Sequence, residues 1–108
     1  MEGNKYQELA MRTNRQEATQ EENLINGCLG LSGETGEVCD IVKKCMFQGH
    51  ELEKERIADE LGDVLWYIAL TAKGIGYSLN HIMEYNIDKL KKRYPDGFEE
   101  ERSINRAE

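Results

Sequence analysis

The chain has 108 residues, enough for a modest core, and we expect one domain over residues 1–108. Its formal charge of −7 argues against binding to duplex nucleic acid, whose phosphate backbone attracts basic proteins. No apolar stretch is long enough to span a bilayer, and no basic start precedes an apolar run as in a secretory signal, so we expect a cytoplasmic protein without membrane partners.

The first half of the chain predicts two helices. Apolar residues at helical spacing place the first over about residues 5–15. The second begins after Thr19, because Thr19 and Glu22 match a capping box, in which each side chain satisfies the other residue's backbone N–H. It runs to about Phe47, and Gly49 is the predicted C-cap.

The second half predicts two further helices and a polar tail. A third helix covers about residues 53–73, and Ser78 is the N-cap of a fourth that ends before Pro95. A polar tail fills residues 96–108. Because no segment alternates as strands do, the fold class is all-α. We expect a four- to five-helix bundle over about residues 5–95, whose core is completed by homo-oligomerisation as a homodimer or homotetramer.

The long helices provide the predicted core. The apolar positions of the second helix are Leu31, Val38, Ile41, Val42 and Cys45, and those of the third are Ile57, Leu61, Val64, Leu65, Ile68 and Ala72. Three cysteines lie among such positions, at Cys28, Cys39 and Cys45, with spacing that fits neither a disulfide framework nor a CxxC zinc site. We therefore expect buried free thiols and a reducing compartment.

The second helix contains the segment "GLSGETGEV", with glycines at Gly30, Gly33 and Gly36. A glycine inside a helix costs about 1 kcal/mol relative to alanine, so this segment is unfavourable as helix alone. We expect these small residues to let another helix approach closely, or to leave room for a ligand beside the neighbouring glutamates.

Two acidic pairs occur at helical i, i+3 spacing. Glu34 and Glu37 lie near the apolar face of the second helix, and Glu60 and Asp63 lie at the margin of the apolar stripe on the third. Either pair alone is typical of a solvated helix edge. If both faces pack together, four carboxylates converge, and a divalent cation relieves their repulsion. Carboxylate ligands favour Mg²⁺ or Mn²⁺ over zinc.

A third group of polar residues lies on the fourth helix. Asn86, Lys89 and Arg93 follow one another at i, i+3 and i+7 and share one stripe of the helix. An amide, an ammonium and a guanidinium in this arrangement could clamp a polyphosphate. The alternative is a solvated basic face that complements the dipole at the C-terminus of the helix.

Taken together, these segments resemble the MazG type of all-α nucleoside triphosphate pyrophosphohydrolases. The matching words are "GLSGETGEV", "DELGDVLWYIA" and "NIDKLKKRYPDGF", which hold ExxE, a spacer of 22 residues, ExxD and then NxxKLxxRY, within about residues 24–98. The resemblance implies Mg²⁺ ligands at Glu34, Glu37, Glu60 and Asp63, and contacts to the triphosphate from Asn86, Lys89 and Arg93 with Tyr94 close by.

The implied reaction is attack of water at the α-phosphorus of a (deoxy)nucleoside triphosphate, which releases the monophosphate and pyrophosphate. Glu37 is our candidate for the carboxylate that activates this water. Many members of the family carry a further glutamate where this chain has Gly33, so another carboxylate must take over its role or the activity is weak.

Other interpretations stay open at this point. The chain could be a non-catalytic nucleotide-binding or partner protein derived from the same family, or a phosphoribosyl-ATP hydrolase. Trp66 and Tyr67 could pack in the core or at a subunit interface, or one could stack on a nucleobase. The sequence does not select among bases or sugars.

Overall fold

The structure, a computed structural model, describes residues 1–106, and the last two positions of the predicted domain, Ala107 and Glu108, lie outside the described residues. Five helices follow one another: α1 (Gly3–Met11), α2 (Gln20–Phe47), α3 (Lys54–Gly74), α4 (Leu79–Arg93) and α5 (Glu100–Ile104). No strand forms within residues 1–106, so the predicted all-α fold class is confirmed.

The predicted N-cap of α2 forms, and its C-cap is Gln48, one residue before the predicted Gly49. Thr19 Oγ1 accepts a hydrogen bond from the Glu22 backbone N–H at 3.1 Å, and Glu22 Oε1 accepts one from the Thr19 N–H at 2.9 Å. At the other end Gly49 follows the cap residue Gln48 with a φ of 73°, a left-handed conformation that glycine adopts without steric cost. Local sequence therefore determines where this helix begins and ends.

The first helix is displaced from its predicted span. It starts at Gly3, because the Glu2 side chain accepts a hydrogen bond from the Lys5 N–H at 3.2 Å and caps the helix earlier. It ends at Met11, whose carbonyl oxygen accepts a hydrogen bond from Gln16 Nε2 at 3.2 Å. The Gln16 side chain thus donates to a carbonyl oxygen that would accept from a backbone N–H if the helix continued.

The hairpin of α2 and α3 is the main body of the fold, and α1 and α4 pack against its α3 side. The buried core consists of Met11, Ala69, Leu70, Ala72 and Leu79. Gln7 fastens α1 in place, since its Nε2 donates to the carbonyl oxygens of Ala69 and Tyr77 at 3.1 and 3.3 Å. Its Oε1 accepts from the Leu79 N–H at 3.1 Å, which joins α1 to the start of α4.

Part of the predicted core is exposed. Val42, Leu61 and Leu65 are 41%, 49% and 50% exposed, because no element within residues 1–106 covers this side of α2 and α3. The three cysteines are free, as expected, but the prediction that all are buried is wrong, since Cys28 and Cys39 are exposed. The cytoplasmic location stays a prediction.

The predicted tail is not entirely irregular. After α4 the chain turns through Gly97, whose φ is 98°, and residues Glu100–Ile104 form the short helix α5. Acidic residues in its first turn and Arg102 in its last complement the helix dipole. Across residues 1–106, none of the helices combines the length and apolar character needed to cross a membrane.

Candidate functional site

The packing of α2 against α3 brings together carboxylates from both predicted acidic pairs. Glu34 on α2 and Glu60 on α3 are half-buried, and Asp63 on α3 is exposed. One carboxylate oxygen from each of these residues lies within 4.8 Å of the other two. We call Glu34, Glu60 and Asp63 the acidic trio. Oxygens this close can share one cation.

Glycines explain how the two helices approach so closely. A Cβ atom on Gly30, one turn before Glu34, would overlap the ring of Tyr67. Near the far end of the hairpin, a Cβ on Gly74 would lie 2.6 Å from Leu24 Cα, which a real side chain cannot do. Gly30 therefore has the close-approach role predicted from the sequence.

Gly33 and Gly36 have the second role predicted for these glycines, which is to leave room beside the glutamates. A Cβ atom at either position would meet nothing within 4 Å. These two glycines leave open space beside Glu34 and Glu37 without contributing to the contact with α3. The glycine-rich segment thus contains two kinds of position, one closed by Tyr67 and two open.

Without a bound cation, the three carboxylates of the acidic trio repel one another. The pKa of Glu34 is raised to about 6, first by a hydrogen bond with Glu60, then by loss of solvation and by the negative charges of Glu60, Asp63 and Glu37. Such crowding is relieved either by a proton shared between carboxylates or by a bound cation. Three carboxylate oxygens, with no thiolate or imidazole in the trio, fit the preferences of Mg²⁺ or Mn²⁺.

Glu37 lies outside the trio. It is exposed on α2, one turn beyond Glu34, and its charge still raises the pKa of Glu34. The structure therefore assembles three of the four predicted metal ligands, and Glu37 lies at the margin of the group they form. Its role as metal ligand or as water-activating carboxylate stays a prediction.

Sequence reasoning missed one side chain near the trio. Tyr6 on α1 is partly buried against the core, and its pKa is raised by burial and, to a lesser extent, by the charge of Asp63. The phenol thus lies within electrostatic reach of the trio. Nothing in the spacing of α1 indicates this, because the contact depends on how α1 docks onto α3.

The two aromatic residues of α3 serve packing in the structure. Trp66 Nε1 donates to the Ala10 carbonyl oxygen at 3.1 Å and to Thr13 Oγ1 at 2.8 Å, which ties α3 to α1. The ring of Tyr67 lies against Gly30 and meets Trp66 edge-on, with ring centroids 5.0 Å apart. These contacts favour the packing interpretation over stacking on a base.

Two of the predicted phosphate-binding residues of α4 line a cleft between α4 and α5. Lys89 and Arg93 line an open cleft of about 1040 Å³ between α4 and α5, whereas Asn86 is exposed beside it. Tyr94 packs against Phe98 in the following turn, with ring centroids 5.2 Å apart. None of the cleft's lining residues belongs to the trio, so the structure groups the predicted residues into two separate sets.

Comparison with known proteins agrees with this geometry. Residues 20–98, which contain all predicted site residues, match the MazG nucleotide pyrophosphohydrolase domain. The chain is also 32% identical over 80 residues to the Gene 37 protein of Mycobacterium phage L5, covering 70% of each chain. No solved structure shows a significant match. The chain belongs to the MazG nucleotide pyrophosphohydrolase domain family.

Proposed function

We propose that this protein is a Mg²⁺-dependent nucleoside triphosphate pyrophosphohydrolase, which converts (deoxy)nucleoside triphosphates to monophosphates and pyrophosphate. The observation that carries the proposal is the acidic trio, which gathers carboxylates from two helices within 4.8 Å. Membership of the family supports nucleotide pyrophosphohydrolase activity in general. We further propose that the substrate is a triphosphate and that the metal ion is Mg²⁺.

Glu34, Glu60 and Asp63 would hold the metal ion, with Mn²⁺ as an alternative, and Glu37 would be a further ligand. When bound, such an ion screens phosphate charge and acidifies a neighbouring water molecule. The trio's own contribution is to hold three carboxylates within 4.8 Å of one another. An anionic substrate could approach these carboxylates only when their charge is compensated.

The chemical step needs a carboxylate that takes a proton from water. We assign this role to Glu37, because it is exposed next to the trio and because the chain has Gly33 where many relatives carry a further glutamate. The water oxygen forms a bond to the α-phosphorus while the bond from that phosphorus to the β-phosphate oxygen breaks. The proton passes to Glu37, and pyrophosphate leaves.

On α4, Asn86, Lys89 and Arg93 would bind the phosphates, with Tyr94 beside them. Lys89 and Arg93 carry positive charge into the cleft, and their side chains can donate several hydrogen bonds to phosphate oxygens. Positive charge beside the β- and γ-phosphates stabilises pyrophosphate as it departs.

We also propose that the functional protein is a homodimer or homotetramer. Large apolar side chains remain exposed on the outer side of α2 and α3, among them Leu29 at 70% and Leu65 at 50%. Large apolar side chains left exposed on a pair of long helices can form an interface. A second copy of the chain would cover it in a symmetric bundle.

The proposal is tested by measuring pyrophosphate release from a panel of nucleoside triphosphates in the presence of Mg²⁺. We expect Glu37→Gln, Glu60→Gln and Asp63→Asn to lower kcat by about 10²-fold or more, as for loss of general-base or metal-held water chemistry. Glu51→Gln, an equal change in the exposed loop between α2 and α3, is the matched control. Rates like the wild type in all three site variants would overturn the assignment and favour a non-catalytic binding protein.

A further inference from the structure

The cleft between α4 and α5 gathers positive charge in an otherwise acidic chain. Its cationic lining residues are Lys89, Lys92, Arg93, Arg102 and Arg106. Its acidic lining residues are Asp88, Glu99 and Glu101. The cleft therefore carries a local charge of +2, whereas the whole chain carries −7. A surface of this sign suits an anionic ligand.

The two walls of the cleft have different origins. The wall from α4 lies inside the family match, which ends at residue 98, and the wall from α5 lies beyond it. Arg102 on α5 is half-exposed and makes a loose ion pair with Glu99, with 3.6 Å between Nε and Oε2. Such an exposed pair contributes little to stability, so Arg102 remains available to an incoming anion.

We propose that the segment after the family domain, through Arg102, forms a second wall of the phosphate-binding site and grips the polyphosphate chain of the substrate. This inference rests on the proposed function, and it adds residues that the sequence analysis did not assign. A polyphosphate is the ligand class because it offers several adjacent anionic groups to cations on both sides of a cleft, and because it is part of the substrate of the proposed function. The guanidinium of Arg102 can donate two parallel hydrogen bonds to one phosphate.

The direct test is binding of inorganic tripolyphosphate to the full chain without Mg²⁺, measured by calorimetry at low salt. We expect Arg102→Gln to weaken binding by about two- to fivefold, as for loss of one exposed ionic contact. Arg102→Lys keeps the charge and should recover part of this loss. Arg12→Gln is the matched control, because Arg12 is an exposed arginine directly after α1 that pairs with Glu8 and lies outside the cleft.

Measurements of nucleotide hydrolysis then distinguish the proposed function from the proposed role of Arg102. If a nucleoside triphosphate is the natural ligand, Arg102→Gln lowers kcat/KM for its hydrolysis, whereas nucleoside monophosphate binding changes little. Tripolyphosphate binding that depends on Arg102, in a protein that hydrolyses no nucleotide, would refute the proposed function and retain the cleft as a polyphosphate site. Equal binding by wild type and Arg102→Gln, or an equal loss in Arg12→Gln, would overturn the inference.

Discussion

A carboxylate oxygen of Glu34 on α2 lies within 4.8 Å of one from Glu60 on α3, and hydrogen bonding to Glu60 is the largest cause that raises the pKa of Glu34 to about 6. A hydrogen bond between two carboxyl groups requires a proton on one of them. Between about pH 4.5 and 6, the folded chain without metal therefore keeps a proton that an isolated glutamate would have lost. Two predictions depend on this proton.

The first concerns stability without metal. Because the folded-state pKa of Glu34 lies above its ordinary value of 4.5, the folded protein binds this proton more tightly than the unfolded chain does. The stabilisation is present below pH 4.5 and is lost as the pH rises through about 6. Glu34→Gln, which stays neutral, should gain in Tm relative to the wild type across this window and keep the gain above it.

Thermal denaturation in a chelator, followed by circular dichroism from pH 4 to pH 8, measures this difference. Glu51→Gln removes the same charge from the exposed α2–α3 loop and should show no such pH-dependent gain. A Tm difference between Glu34→Gln and wild type that does not vary with pH would contradict the assigned proton.

The second prediction concerns the metal. Mg²⁺ needs the ionised form of Glu34, so binding of the ion releases the shared proton and competes with it. The increase in Tm caused by a fixed concentration of Mg²⁺ should be large at pH 7.5, shrink as the pH falls through about 6, and disappear in Asp63→Asn. If the Mg²⁺ shift persists unchanged at pH 5, the ion binds elsewhere.

The third prediction separates the glycines of α2. Gly33→Ala places a methyl group in open space and should stabilise the protein by about 1 kcal/mol, which raises Tm by about 4–8 °C in a domain of this size. Gly30→Ala meets the ring of Tyr67 and should destabilise it by about 1–3 kcal/mol. Thermal unfolding of the two variants measures these effects. If both substitutions destabilise the protein, another surface lies against Gly33.

Local features of this fold were predictable from sequence, because their causes lie within a few residues of one another. The capping box of Thr19 and Glu22 is complete within four residues, and Ser78 caps α4 through the His81 N–H. The meeting of Glu34 with Glu60 and Asp63 was also predictable. Each acidic pair occupies one face of a long helix, and joining α2 to α3 by a short loop leaves these helices side by side.

Features that depend on docking were not predictable. Tyr6 comes near Asp63 only because Gln7 anchors α1 to the carbonyl oxygens at the end of α3. Arg102 enters the cleft because the turn at Gly97 directs α5 back beside α4. Neither relationship leaves a periodic pattern, since each depends on the direction of a connection and on the packing it permits.

The fourth prediction concerns Leu65 on α3. This residue is 50% exposed, although its place in the helical pattern of apolar residues is that of a core residue. If a second copy covers it, Leu65→Lys buries a charge at the interface and also loses about 1 kcal/mol or more of apolar burial per subunit. Size-exclusion chromatography with light scattering should then show a dimer or tetramer for the wild type and dissociation for Leu65→Lys. Ile104→Lys, on α5 and 81% exposed, should assemble like the wild type. A monomeric wild type would instead mean that this apolar surface has a different partner.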